Sequence, residues 1–180
     1  MDVRLINPFI RATEEVFRLM IGCEAVPQPP KVLPSLPHGP RMINAIIGME
    51  GGVQGAVVVR LPMSVALRIG AAFTGTAVTV DGAQDAVGEL ANMITGNAKR
   101  ELGRHLVRIT VPRIAIGDEE IGDVAEISPW LFVPFQASLG NFVLAVSFTM
   151  RDSSPSGRAG LDSVEAWSED SCVDGAHAIQ

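Results

Sequence analysis

The sequence predicts an α+β domain in which an antiparallel-rich sheet packs against two to three helices. Three observations predict it: β-branched runs joined by glycine-bearing turns, a long central segment with helical periodicity, and further strand-like runs after that segment. With 180 residues, 47% hydrophobic and 19% charged, the chain is long enough to bury one sizeable core.

From Leu5 to Ile21 the apolar residues Phe9, Val16, Phe17 and Met20 recur at roughly helical spacing, with Glu14, Glu15 and Arg18 between them. This spacing predicts an amphipathic first helix with one face on the core. Six of the twelve prolines fall between Pro27 and Pro40, which removes backbone donors and predicts an irregular connection. PQPP and PSLP also permit a polyproline II recognition peptide, a sharper reading than a solvated connector. Met42 to Met49 and Val53 to Leu61 flank Glu50-Gly51-Gly52 and predict a hairpin. The glycines of GMEGGVQG are not a phosphate cradle, because no helix follows at once and no Lys-Ser or Lys-Thr pair closes the pattern.

Ser64 is placed to cap a short helix that reaches about Phe73 and ends at Gly75. Asp81 is placed to cap a second, with Gln84 as its reciprocal partner, running to about His105. Val107 to Ile116, Trp130 to Ala137 and Phe142 to Met150 read as strands, SLGN at 138–141 suits a hairpin turn, and Pro112 and Pro134 belong at edges or bulges. This domain is expected over residues 1–150. Residues 151–180 hold two basic and six acidic side chains among Ser and Gly, and their scarce apolar surface predicts a disordered acidic tail with Trp167 as its one anchor.

The formal charge of −6 and a pI near 5.0 argue against nucleic acid as a partner. Cys23 and Cys172 are too few for a disulfide framework, and no stretch approaches a spanning length of about 20 apolar residues, so no membrane partner and a cytoplasmic location are expected. His38, His105 and His177 are scattered, no Cys/His cluster has zinc spacing, and no glycine-flanked serine elbow is present. His105 reads as a cap near a helix C-terminus, and Met42, Met49, Met63 and Met93 read as core or interface filler.

The segment Asp85 to Leu102 is the informative one. At about 100° per residue, Val87, Leu90, Ala91, Ile94, Ala98 and Leu102 share one core-facing arc. Opposite them fall Asp85, Glu89, Asn92, Lys99 and Arg100, together with Gly88, Gly96 and Gly103. Each interior helix glycine costs about 0.5–1 kcal/mol against alanine, so a glycine-lined exposed face suits close approach by a partner backbone or a phosphate group. Glu89 and Asn92 are helix-surface neighbours, with Asp85 one turn earlier, and a carboxylate beside a carboxamide can grip a cation and orient a water. Spacing alone favours a solvated helix face with ordinary pairs.

GELANMITGNAKREL, the Asn-Pro-Phe-Ile opening of the first helix and the strand order after residue 107 resemble the CheC/CheX family of chemotaxis phosphatases. The resemblance covers about residues 1–150. Its most specific part is the acid, Glu and Asn at the intervals of Asp85, Glu89 and Asn92. A family proline follows the Asn by a little over twenty residues; Pro112 comes slightly early. The family carries internally repeated halves, and laying Arg4-Leu5-Ile6-Asn7 on Glu89-Leu90-Ala91-Asn92 puts Arg where the acid belongs. The first site therefore reads as decayed, Asn7 as structural, and the single complete site fits the CheX branch.

The resemblance implies a phosphatase acting on the aspartyl phosphate of a CheY-type response regulator, whose Mg²⁺ belongs to the regulator, so that this chain need bind no metal or other cofactor. It implies that Asn92 orients the attacking water, that Glu89 pairs with the regulator's active-site lysine, and that Asp85 makes a rim contact, with Gly88 and Gly96 on the substrate-binding face. Glu89 as general base ranks lower, since a loose phosphoryl-transfer transition state needs little proton removal from the water. Lys99 and Arg100, about two turns from Asn92, read as ordinary solvated charges. The family also implies a homodimer joined through edge strands. The competing function is a non-catalytic binding module, or a flagellar-switch scaffold of the same fold, suggested by the decayed first site and the acidic tail.

Overall fold

Successive side chains of a strand point to opposite faces, and residues 43–47 and 56–61 are buried without a break, so this sheet is covered on both faces. The computed structural model describes residues 5–36, 41–102, 107–117 and 129–150; the tail, Gly103, Trp167, Cys172, Arg4 and all three histidines lie outside the described residues. The elements run α1 (Asn7–Val16), a π turn (Phe17–Ile21), β1 (Ala25–Pro27), β2 (Lys31–Leu33), β3 (Met42–Glu50), β4 (Val53–Pro62), α2 (Met63–Thr74), α3 (Val80–Glu101), β5 (Arg108–Ile109), β6 (Arg113–Ile116), β7 (Trp130–Ala137) and β8 (Phe142–Met150).

The described strands form one eight-stranded sheet in the order β1-β7-β8-β4-β3-β5, with β2 also on β7 and β6 also on β3. Every pairing is antiparallel. Three α-helices cover one face, as the sequence predicts for this fold class. Ile43, Ala45, Ile47 and Met49 of β3, Val57, Val59 and Leu61 of β4, and Leu144 and Val146 of β8 meet Phe9, Val65, Ile69, Val87, Leu90 and Ile94 in the main core. Side chains of opposite parity build a second cluster on the other face, where Trp130, Ile46, Val58, Phe132 and Ala145 are buried with Leu36.

The β3–β4 hairpin stands where the sequence places it and excludes the phosphate-cradle reading, because the glycines only turn one strand into the next. The β7 and β8 boundaries also match. Gly140 ends their turn at φ 125°, in the left-handed region that glycine tolerates.

Five expectations are corrected. The first helix stops being α-helical at Val16: the π turn inserts extra residues per turn and rotates the face, so Phe17 stacks on Phe142 at 4.6 Å while Leu19 and Met20 face solvent. The Pro-rich connection contains β2 and the end of β1, because an edge strand tolerates prolines. Ser64 lies inside α2; Pro62 is the N-cap without a side-chain bond, and the Met63 N–H donates instead to the Arg41 carbonyl at 3.1 Å. Thr79, not Asp81, caps α3, its hydroxyl accepting from the Gly82 N–H at 3.3 Å. Asp81 then sits in the first turn, where its charge complements the helix dipole, and Gln84 donates to it rather than closing a capping box. The helix ends at Glu101, short of the His105 expected.

Candidate functional site

Helix α3 is the longest helix described, 22 residues, and its position is fixed from three sides. Its inner arc of Val87, Leu90, Ala91, Ile94, Ala98 and Leu102 is buried as the periodicity predicts. It packs along α1 and α2 and over β3, β4 and β6. A helix held this way cannot roll, so its outer side chains have fixed places relative to the sheet.

On that outer face Asp85, Glu89 and Asn92 are all exposed. Helical spacing sets neighbouring members of the trio about 5–6 Å apart at Cβ, and the whole trio spans about 10 Å along the axis. Among the described residues none of the three makes a side-chain hydrogen bond or ion pair. The pairings that a merely solvated face would show are therefore missing from the trio. They appear elsewhere on the helix: Arg100 donates to Asn97, and Arg11 of α1 reaches Glu101.

The glycines behave differently from one another. Gly96 has nothing within 4 Å of where a Cβ would stand, so the fold does not require it, and close approach from outside is sterically open. Gly88 is not on the exposed face as expected but is buried, and a Cβ there would lie 3.5 Å from Ile114 Cδ1 and 4.0 Å from Pro112 Cβ. It seats the β5–β6 connection against the helix, one residue before Glu89 and one turn before Asn92. Sequence reasoning missed this contact; its signal was Pro112 inside a strand-like run.

Asn7 opens α1 and is exposed. Met49 is buried, and Met63 and Met93 pack on the core, as filler. A groove of about 510 Å³ lies between α1 and β1, lined by Arg11, Glu14, Arg18, Glu24 and Val26 among others, and holds none of the trio. The hydrogen bond to Glu101 raises the Arg11 guanidinium above its ordinary range. Among the described residues no group of three or more His, Cys, Asp or Glu is placed to hold a metal ion, and no helix is long and apolar enough to cross a membrane.

The trio thus stands on a convex helix face. Such a projecting face can enter the cleft of a macromolecular partner. A family model described as chemotaxis phosphatase CheX matches residues 43–136, more than half of the chain and including all of α3. The chain belongs to the CheX family. A curated relative, the CheY-P phosphatase CheX of Thermotoga maritima, is 29% identical over 123 residues, covering 65% of this chain and 78% of the relative. Among solved structures, a putative chemotaxis protein from Desulfovibrio vulgaris Hildenborough superposes with a TM-score of 0.69 at 27% identity, covering 82% of this chain and 98% of that one. CheX of Borrelia burgdorferi, solved as a CheX–CheY–BeF3–Mg complex, has the same fold, with a TM-score of 0.65 at 23% identity over 80% of this chain and 97% of that one.

The open space around Gly96 has a direct test. Gly96→Ala is expected to raise stability by about 0.5–1 kcal/mol through helix propensity. In a chain of this size that corresponds to a melting temperature about 1–4 °C higher. A thermal melt showing destabilisation would mean that the space at Gly96 is occupied.

Proposed function

We propose that this CheX-family chain hydrolyses the aspartyl phosphate of a CheY-type response regulator, using Asn92 to orient the attacking water. The observation that carries the proposal is a carboxylate and a carboxamide one turn apart, exposed on an immobilised helix and unpaired among the described residues. The water oxygen forms a bond to phosphorus as the bond to the aspartate oxygen breaks, leaving the carboxylate and inorganic phosphate. Little covalent work falls to the protein in such a transfer, so positioning is the main source of acceleration.

A carboxamide suits this role because it donates and accepts at once and adds no negative charge beside the phosphoryl group. Glu89 is proposed to pair with the regulator's active-site lysine and set the register of α3, and Asp85 to touch the rim. Gly96 admits the regulator's backbone closely, while Gly88 acts from beneath by seating the β5–β6 connection. The Mg²⁺ in this scheme is part of the phosphorylated substrate.

The test is the decay of a phosphorylated CheY-type regulator with and without the protein. Acceleration at catalytic ratios is expected; binding without acceleration would replace the phosphatase reading with that of a binding module. Homodimerisation through edge strands belongs to the same proposal, since β1–β2 bounds the sheet on the side away from the β5–β6 bulge among the described residues. Sedimentation equilibrium is expected to return twice the chain mass, and a monomer mass at micromolar concentration would overturn it.

A further inference from the structure

The pairing between β3 and the strands beside it changes register next to the α3 face. Gly48 stands opposite Thr110, whose N–H donates to the Gly48 carbonyl at 3.0 Å and whose hydroxyl accepts from the Gly48 N–H at 2.9 Å. Ile46 stands opposite Arg113. Ile47 therefore faces two residues, Val111 and Pro112, and this two-against-one count is a β-bulge. Bulges re-aim a side chain out of the strand's alternation, and here the side chain sent outward is Val111. At 85% it is the most exposed large hydrophobic among the described residues.

A lone exposed valine needs no explanation on an ordinary surface. This one is held in place from both sides. Thr110 is fixed on Gly48, where a Cβ would meet Thr110 Cγ2 at 3.1 Å, so the seat favours glycine. Pro112 and Ile114 rest on Gly88, the residue before Glu89. The fold gains nothing from an apolar side chain at the tip, because a polar residue there would leave every one of these contacts intact. What the arrangement does achieve is an apolar tip at a fixed distance from the Glu89 and Asn92 face.

That face by itself holds a partner weakly, since exposed ion pairs contribute little in water. An apolar contact at its margin excludes water from the polar pairs and adds affinity of its own. We propose that Val111 is the apolar docking contact for the protein that receives α3, a specificity-determining residue that sets how tightly the partner is held and takes no part in the chemistry. The proposal rests on the reading of α3 given above. The partner it fits is a CheY-type regulator with an apolar surface bordering the cleft that holds its phosphorylated aspartate.

The experiment uses the full chain with Val111→Asp, reading kcat and KM on a phosphorylated CheY-type regulator and Kd for the same regulator activated with beryllofluoride. Burial of a valine is worth roughly ten- to hundredfold in affinity. Val111→Asp is therefore expected to raise KM and Kd about tenfold or more with kcat unchanged, and Val111→Ile to keep both near wild type. Leu19→Asp, an equally drastic change at a 60%-exposed position of the π turn, is expected to change neither. Unchanged KM and Kd in Val111→Asp, a fall in kcat alone, or an equal effect from Leu19→Asp would each overturn the proposal. If wild type binds the regulator without accelerating its decay, the phosphatase reading falls, while a tenfold weaker Val111→Asp complex still upholds the docking contact. If wild type does not bind, both fall.

Discussion

Asn92→Ala is expected to return the decay of a phosphorylated CheY-type regulator to its spontaneous rate, a loss of about 100-fold or more in acceleration. The size follows from the role. A group that positions a reactant is worth about two orders of magnitude, or roughly 2.7 kcal/mol of barrier, when it is removed or misplaced by about 1 Å. The fold has no stake in the amide: Asn92 is exposed and makes no side-chain bond among the described residues. Alanine is the better helix former by about 0.5 kcal/mol, so the variant should melt no lower than wild type. Loss of turnover with unchanged circular dichroism is the combined result expected.

Two companion variants separate the roles. Asn92→Asp keeps the size of the side chain but brings a negative charge beside the phosphoryl group and is expected to be as inactive as the alanine variant. Glu89→Ala loses its effect chiefly through binding, so its deficit should be large at low regulator concentration and partly recovered near saturation. Wild-type turnover by Asn92→Ala would remove the water-orienting mechanism whatever Glu89 does.

How far the sequence carried this reading differs from element to element, for physical reasons. The long strands and the buried arc of α3 were legible because burial on a sheet or helix imposes a period of 2 or 3.6 on the apolar residues themselves. The Asp85, Glu89 and Asn92 face was legible as the complement of that arc. Helix starts were not, because Ser64 and Asp81 compete with other groups for the same orphan N–H donors. The Arg41 carbonyl, remote from Met63 in the sheet connection, and the Thr79 hydroxyl won. The π turn at Phe17–Ile21 was invisible because Leu19 and Met20 continue an apolar run whose periodicity looks helical. The bulge at Val111 depends on the register of β3 against two separate strands, a long-range property that no local window contains. Pro112 alone hinted at it, since proline within a strand-like run belongs at an edge or a bulge.

Gly55→Ala is expected to lower stability by about 3 kcal/mol or more, the largest effect on folding among single-methyl additions to this sheet. Gly55 lies in β4, an interior strand, between Met49 of β3 and Phe148 of β8. Its φ of +158° approaches the extended limit, but the decisive quantity is contact. A Cβ built there would lie 2.0 Å from the Ser147 carbonyl oxygen and 2.6 Å from Phe148 Cα. Those are backbone atoms of the neighbouring strand, so no rotamer change relieves the overlap. The β4–β8 ladder must part locally, and each ladder bond lost costs about 1 kcal/mol net. Phe148 is buried in the main core, so displacing its Cα also loosens packing against the helices. Urea unfolding should show the midpoint falling with little change in slope, and the melting temperature should drop by about 6–12 °C for a chain of this size. The folded fraction should retain wild-type turnover, because Gly55 touches none of the groups on α3. A loss below about 1 kcal/mol would mean that β8 yields at Ser147, and that the sheet is softer there than its pairing implies.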